Sequence, residues 1–426
     1  MIPQSNFMVV APIREGAVDP LRRLLATMAG LPGMANPANP LLPLGQVGQL
    51  HFARFVVLED LTLGDRALCG LSGDGLPVYL AFLGDCDGAL DALFADFARV
   101  GSTGLSQIFA YCEGFDPRAD IADWMRRRSI EPATQYVNWV GRSVQQVRQE
   151  ASLRAVLRDK LADGPAGESA VDAHRRLRAA ARGTALTLSP LAPMPLGWRI
   201  REWLNLLGSV LLLIIIAPFL LIYSPIFLLQ LRSREQADLV IAPRPTPEHL
   251  RALSRIEDHD VSNQFSAFGS VKPGRFRLWT IIFILWVVNL TTRHLYTRGR
   301  LARVGTIHFA RWVFLDNRQR LFFASNYDGS LNSYMDDFIN KVAFGLNLVF
   351  SNGIGYPHTD YLVLGGAKDE QGFKHYIRRH QLPSELWYKA YPGLTAAEIA
   401  ENAVIREGFD RPSMSQDDTR RWLAMI

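Results

Sequence analysis

The sequence predicts an α+β protein that writes one strand–helix–strand–strand–helix–strand unit twice, with inserted apolar helices that dock it on a membrane. Three observations carry this. The peptide QLHFARFVVLED, beginning at Gln49, returns as TIHFARWVFLDN, beginning at Thr306. Val78–Phe97 aligns without a gap on Gln319–Phe338, and the alignment continues from Gly104–Phe115 onto Gly345–Tyr356. Two charge-free stretches, Trp203–Leu231 and Leu278–Thr292, fall between the copies and inside the second.

Taken in order, the copies open on VVAP (Val9–Pro12) and VIAP (Val240–Pro243). Each is a short apolar run ended by proline and reads as a strand. Asp19-Pro20 and Thr246-Pro247 then place a capping oxygen before a proline. That pair starts a helix, because the oxygen satisfies a free N–H and proline loses nothing at the first position. The HFAR strands follow. Next come a strand, an Asp-Gly turn and an amphipathic helix. In the second copy Leu331, Tyr334, Met335 and Phe338 have the spacing of a buried helical stripe. A last helix, from Trp124–Ser143 and Tyr376–Thr395, ends each copy. Residues 1–150 thus form the first unit. An Ala/Arg-rich helical connector (151–198), broken at Gly164-Pro165, leads to the first membrane segment (199–234). Residues 235–260 supply the first strand and helix of the second unit, 261–303 a loop and the second membrane segment, and 304–426 the remainder.

With 426 residues, 48% hydrophobic and 20% charged, the chain is long enough for two or three packed domains. The net charge of +5 is small, and the basic residues are mostly arginines near the apolar segments. That distribution suits anionic lipid headgroups more than nucleic acid. No zinc spacing, phosphate-binding loop or aromatic-basic motif occurs, so neither a metal nor nucleic acid is expected. Three cysteines, Cys69, Cys86 and Cys112, suggest a reducing compartment. The N-terminus has no signal-peptide pattern.

Trp203–Leu231 is 29 residues without a charge. As a straight helix it reaches roughly 44 Å, more than the ~30 Å hydrocarbon layer, and it contains Pro218 and Pro225. Leu278–Thr292 reaches only roughly 22 Å. If each segment crossed once, the strand between them would lie on the far side from the sheet it has to join. Arginines flank both segments at both ends: Arg199, Arg201, Arg232 and Arg234 for the first, and Arg275, Arg277, Arg293, Arg298, Arg300 and Arg303 for the second. The expectation is therefore a monotopic protein. The first segment is re-entrant or a kinked helix pair, and the second is a shallow interfacial helix. Trp203, Leu212, Ile215, Phe219, Phe227, Trp279, Phe283 and Trp286 are the candidate membrane contacts. Two simple spans are the alternative.

The order of elements is the ferredoxin-like split βαβ unit. Two such units in one chain resemble the dimeric α+β barrel superfamily, which implies a pseudo-dimeric barrel of two facing sheets. GDCDG (Gly84–Gly88) fits the pattern GxxDG, and SNYDG (Ser325–Gly329) departs from it at the first position. The pattern resembles the distal haem motif of dye-decolorizing peroxidases, which also use duplicated ferredoxin-like units. The resemblance implies haem, with Asp87 the formal match and Asp328 the imperfect one. The second half also looks like a group of uncharacterised bacterial membrane-associated proteins. That likeness brings no activity with it; the arginines at both ends of both apolar segments predict the cytoplasmic face of the bacterial inner membrane.

The residues themselves leave the chemistry open. An aspartate at a strand-to-helix junction also caps helices. His51 and His308 recur in equivalent strands, as core histidines or, for His308, as a cofactor ligand. Arg54 and Arg311 lie on the opposite strand face, where each is expected to pair with an acid of its own half. The polar, aromatic second copy is the preferred site. There Asp328, His308, His358, His380 and Tyr388 are the catalytic candidates, with His375, Tyr356 and Tyr391 nearby. Three functions follow. One is a peroxidase-like oxidoreductase acting on a lipid or other apolar substrate. Another is a lipid-binding or scaffold protein without chemistry. The third is a structural protein that assembles as a homo-oligomer or with a partner membrane enzyme.

Overall fold

A computed structural model describes residues 1–165, 167–191, 193–299, 301 and 303–426, so the flanking arginine at 300 lies outside the described residues. The strands are β1 (Gln4–Pro12), β2 (Ala29–Leu31), β3 (Met34–Ala35), β4 (Leu50–Leu58), β5 (Tyr79–Asp87), β6 (Thr134–Val137), β7 (Ser262–Ser270), β8 (Ile307–Leu315), β9 (Arg320–Asp328), β10 (Thr359–Asp360), β11 (Leu364–Gly365) and β12 (Ser384–Lys389). The α-helices are α1 (Val18–Ala26), α2 (Asp65–Leu68), α3 (Leu90–Phe109), α4 (Ile121–Arg127), α5 (Val144–Ala162), α6 (Ala170–Arg182), α7 (Leu196–Ala237), α8 (Pro247–Ser254), α9 (Arg275–His294), α10 (Leu331–Phe350), α11 (Glu370–His380), α12 (Ala396–Asp410) and α13 (Gln416–Leu423).

The architecture is mixed α+β. One sheet runs β1-β5-β4-β12-β3-β2 and another β6-β8-β9-β7, with β10 and β11 forming a small ribbon. The two larger sheets face each other. Met8, Val10, Val56, Leu58, Ala81 and Leu83 of the first interdigitate with Phe268, Val313, Leu315, Phe322 and Ala324 of the second. Each sheet also borrows a strand from the other half of the chain. β12 pairs antiparallel with β4, and β6 pairs antiparallel with β8. The expected closed barrel does not form. Each borrowed strand joins one side of its host sheet, and the outer edges of β1 and β7 meet only single bridges, Val9 to Ser129 and Ala267 to Gln381. At the β6 edge, α9 takes the place of another strand. Thr134 Oγ1 donates to the Leu285 carbonyl at 2.7 Å, Thr292 Oγ1 donates to the Gln135 carbonyl at 2.8 Å, and Asn289 Oδ1 accepts from the Gln135 N–H. A helix over a strand edge removes a template for aggregation.

Three expected elements are corrected. Val240–Pro243 is not a sheet strand. Its contact is a lone bridge to Gly355, and Leu239 and Val240 are exposed. The strand beside β9 is instead β7, inside the expected loop and paired residue for residue from Ser262↔Asp328 to Ser270↔Arg320. Its polar side chains are buried against specific partners, so its hydrophobicity does not alternate. Gln264 Oε1 accepts from Ser384 Oγ at 2.7 Å, for example. As a result the second apolar segment, α9, follows β7 as α1 follows β1. The helix capped by Thr246, α8, stands outside that order. Finally, the first apolar segment is one continuous helix, α7, rather than a pair, with both prolines inside it. The connector does not stand apart from the core. α5 and α6 pack on α12 and α13 through Leu153, Leu157, Leu177, Ile405 and Trp422.

Candidate functional site

The repeated HFAR peptides do the same physical work in both halves. Arg54 crosses to the other sheet, where Nη1 donates to the Phe265 carbonyl at 2.8 Å and Nη2 to the Ser325 carbonyl at 2.9 Å and to Asn326 Oδ1. Arg311 crosses the opposite way, to the Phe7 carbonyl at 2.8 Å, the Gly84 carbonyl at 2.9 Å and Asp85 Oδ1. These partners are aligned counterparts, save that Asp85 answers to Asn326. The expected salt bridges within each half are thus replaced by bonds between halves. Both arginines are buried. Burial, reinforced by the neighbouring Arg311, holds the Arg54 guanidinium down at about 9. Burial likewise pushes the Asp85 carboxyl up, against the pull of Arg311.

The histidines are anchored in the same matched way. His51 Nε2 meets Asp87 Oδ1 at 3.0 Å, and His308 Nε2 meets Asp328 Oδ1 at 2.7 Å. The second oxygen of Asp87 accepts the Val144 N–H at the start of α5. That of Asp328 accepts the Ala396 N–H at the start of α12. Each Asp-Gly aspartate therefore satisfies the first turn of a helix far along the chain, as a capping carboxylate does.

The cavity shared by His51, His308 and Tyr391 holds about 20 Å³, room for about one water. Haem does not fit there. The remaining catalytic candidates are not brought together. His380 is buried with Nδ1 on the Tyr376 carbonyl at 2.8 Å, and burial holds its pKa down. His358 is exposed. Tyr388 is packed in the core of the first half, and Tyr356 donates to Asn347 Oδ1 at 2.7 Å.

The cavity with the dimensions of a ligand site lies elsewhere. About 330 Å³ is enclosed between the outer face of the four-stranded sheet, α9, α10 and α11. This is roughly twice the ~150 Å³ dry cavity that takes up a benzene. Phe265, Ala310 and Phe323 form its floor, Val287, Val288 and Thr291 one wall, and Tyr334, Phe338, Val342 and Gly345 the other. Among the described residues, no charged side chain and no histidine lines it. Its buried hydroxyls point to protein partners: Tyr136 donates to Asn138 Oδ1 and Tyr334 to Ser325 Oγ, each at 3.0 Å. Burial pushes both phenols well above their ordinary range. Phe344, more than half exposed, stands where the cavity meets the surface.

Of the cavity residues, sequence reasoning singled out Tyr334, Met335 and Phe338 only as a buried stripe, and it missed Val342 and Gly345. No sequence signal marked them, because the short connection shows only once α9 is placed after β7.

Outside this cavity, α7 and α9 form an apolar layer. Between its buried ends at Glu202 and Glu235, the less exposed residues of α7 include Leu206, Ser209, Leu213, Ile216, Ser224, Phe227 and Leu231, which follow a three-to-four spacing along one stripe, and most of the other residues there are exposed. Phe219 is 70% exposed, Ile222 78%, and Trp203, Leu212 and Ile215 are also exposed. On α9, Trp279 and Phe283 are exposed, whereas Trp286 is half-buried beside Phe283. Phe227 packs on Phe276. Both ends of α7 are tied to α9: Glu202 to Arg293 at 2.6 Å, and Asp238 to Arg277. Monomeric soluble proteins do not leave an apolar face of this extent uncovered. In a larger, open cleft of about 770 Å³ near Arg22, Glu59, His249 and Glu385, Arg22 bridges Glu59 and Glu385. No protein family, curated protein or solved structure gives a significant match to the chain.

Proposed function

We propose that the protein sits on one face of a membrane and takes lipid hydrocarbon into the cavity behind α9. The observation that carries this is that one helix serves both surfaces: α9 walls the 330 Å³ apolar cavity and also belongs to the exposed apolar layer with α7. A chain leaving the bilayer would meet no polar barrier. The lack of charged or histidine side chains among the described residues of the cavity supports binding rather than catalysis, and the space of about 20 Å³ beside His308 does not hold the cofactor of the oxidoreductase reading. The monotopic arrangement is supported by β7, which lies between the two apolar helices in sequence yet is paired along its length in the same sheet as β8 and β9. Both ends of α7 then return to one side, and α7 lies within a single leaflet. The matched contacts of the two HFAR peptides support a duplicated ferredoxin-like origin for the two halves.

Gly345 is the point of attack, since a side chain added there meets open space. Gly345→Leu is expected to fill the cavity and to raise helix stability by about 1 kcal/mol. It should abolish uptake of a fluorescent fatty acid, measured in detergent, while preserving the attachment to lipid vesicles seen by flotation. Wild-type fatty-acid binding in a folded Gly345→Leu protein sinks the cavity reading. Wild-type protein that fails to float with vesicles sinks the membrane reading.

A further inference from the structure

A second cleft, of about 330 Å³, opens at the other end of α9, where it meets the end of α7. Lys272, Arg277 and Arg234 line it with a single carboxylate, Asp238. That carboxylate is shared: Lys272 Nζ lies 2.7 Å from Asp238 Oδ2, and Arg277 Nη2 pairs with the same oxygen. Arg277 is 2% exposed, and its Nε and Nη1 have no hydrogen-bond partner among the described residues. An unpaired buried guanidinium donor is costly, and an anionic acceptor relieves that cost. Glu235, one turn before Asp238, adds a second carboxylate whose charge reaches Lys272 and Arg277, so three cations stand against two carboxylates. The Glu235 carboxylate is held by Thr359 Oγ1 and the N–H groups of Tyr361 and Leu362. The cleft also contains the start of α9. The cap there is Gly274, which has no side chain to offer the first N–H groups, so the positive end of a long helix is left open. Burial holds the Lys272 ammonium down at about 8, a penalty that an anion would offset.

We infer that this cleft binds the phosphate of an anionic phospholipid whose hydrocarbon runs along α9. The inference rests on the lipid-binding reading above. Arg277 and Val288 are three helical turns apart on one face of α9, or roughly 17 Å. That matches the depth of one leaflet, half of the ~40–45 Å bilayer. Ile281 and Ile284 lie on the same face, buried in the core between the two, and Trp279 and Phe283 keep the neighbouring side of α9 apolar and exposed.

The test titrates the full-length protein in mild detergent with dioctanoyl phosphatidic acid, dioctanoylglycerol and inorganic phosphate. The two lipids differ only in the phosphate. Phosphatidic acid is expected to bind about tenfold tighter or better, the gain of a charge-assisted contact. Arg277→Gln and Arg234→Gln should each remove most of that ratio. Gly345→Leu should weaken both lipids and leave the ratio standing. Should Arg277→Gln fail to fold, Arg234→Gln, at the exposed rim, still decides. Equal affinity for the two lipids overturns the inference, as does a ratio that survives in Arg234→Gln. Inorganic phosphate binding as tightly as phosphatidic acid overturns the lipid source. If neither lipid binds, the lipid-binding reading itself fails, a result distinct from the loss of the ratio alone.

Discussion

The helices α3 and α10 hold matching places in the two halves, and both break their helical geometry at matching residues, Gly101 and Val342. What lies behind them differs. In the first half the chain between α1 and β4 folds back against the kink. Asn39 Oδ1 accepts from the Leu41 and Leu42 N–H groups and shapes a tight turn. Leu42 then sits so close to Gly101, and the Leu41 carbonyl so close to Gly104, that a Cβ on either glycine would collide. In the second half the connection between α9 and β8 is shorter. Its described residues Tyr296 and Leu301 line the cavity without filling it, and the counterpart of Gly104, Gly345, faces open space. Since interiors are otherwise packed nearly as densely as organic crystals, one loop more or less decides between core and cavity.

The largest effect expected from breaking this comparison comes from the arginines that join the halves. Arg311→Ala should cost about 3–5 kcal/mol in denaturant unfolding, because it strands Asp85 in the core. Arg54→Ala should cost less, since its polar partner, Asn326, is neutral. Equal costs would show that the Asp85/Asn326 difference has no energetic weight. Next is the plug. Leu42→Ala should destabilise by about 2–5 kcal/mol and open a void in the first half, visible as new binding of a small apolar probe such as benzene or xenon.

The smallest effect sharpens a third difference between the halves. α5 and α12 both begin with capping boxes, at Ser143 and Thr395, and two turns on the first carries Glu150 and the second Asn402. Glu150 is buried beside Arg142, at 3.0 Å, and burial nonetheless pushes its carboxyl up to about 7. Its folded-state pKa is thus above its unfolded one, so its proton is held more tightly in the native state. The resulting stability is complete below the unfolded value and is lost as pH rises through about 7. Replacing it by the neutral isostere, Glu150→Gln, should flatten that part of the stability–pH curve by about 2–3 kcal/mol between acid and neutral pH. An unchanged slope would place the titration in another group.

Much of the fold was legible because its strands alternate and its Asp-Gly turns repeat. β4, β5, β8, β9 and the helices after them follow directly from the ungapped alignment. β7 was hidden because it satisfies Arg54 with Ser266 and Ser384 with Gln264, and buried polar pairs do not look like a strand face. VIAP was misleading for the opposite reason. It has the right residues, but its place beside β9 is taken by β7. The site was less legible still. His308, Asp328 and Tyr388 attract notice by chemistry, yet the structure spends them on packing and capping. The cavity, by contrast, goes with a shorter connection between α9 and β8, and a shorter loop leaves no motif to read.

The exchanged strands bear on how this chain comes off the ribosome. β4 gains its neighbour β12 through pairs such as Val56 with Ser384, so its edge stays unmatched until nearly the whole polypeptide has emerged. Between those two events the nascent chain has already exposed α7, its greasiest stretch. Early capture of that helix by a bilayer would tether the unfinished protein at a surface. The long-range pairing would then be a search in two dimensions rather than three, with the sticky edge of β4 kept away from other nascent chains.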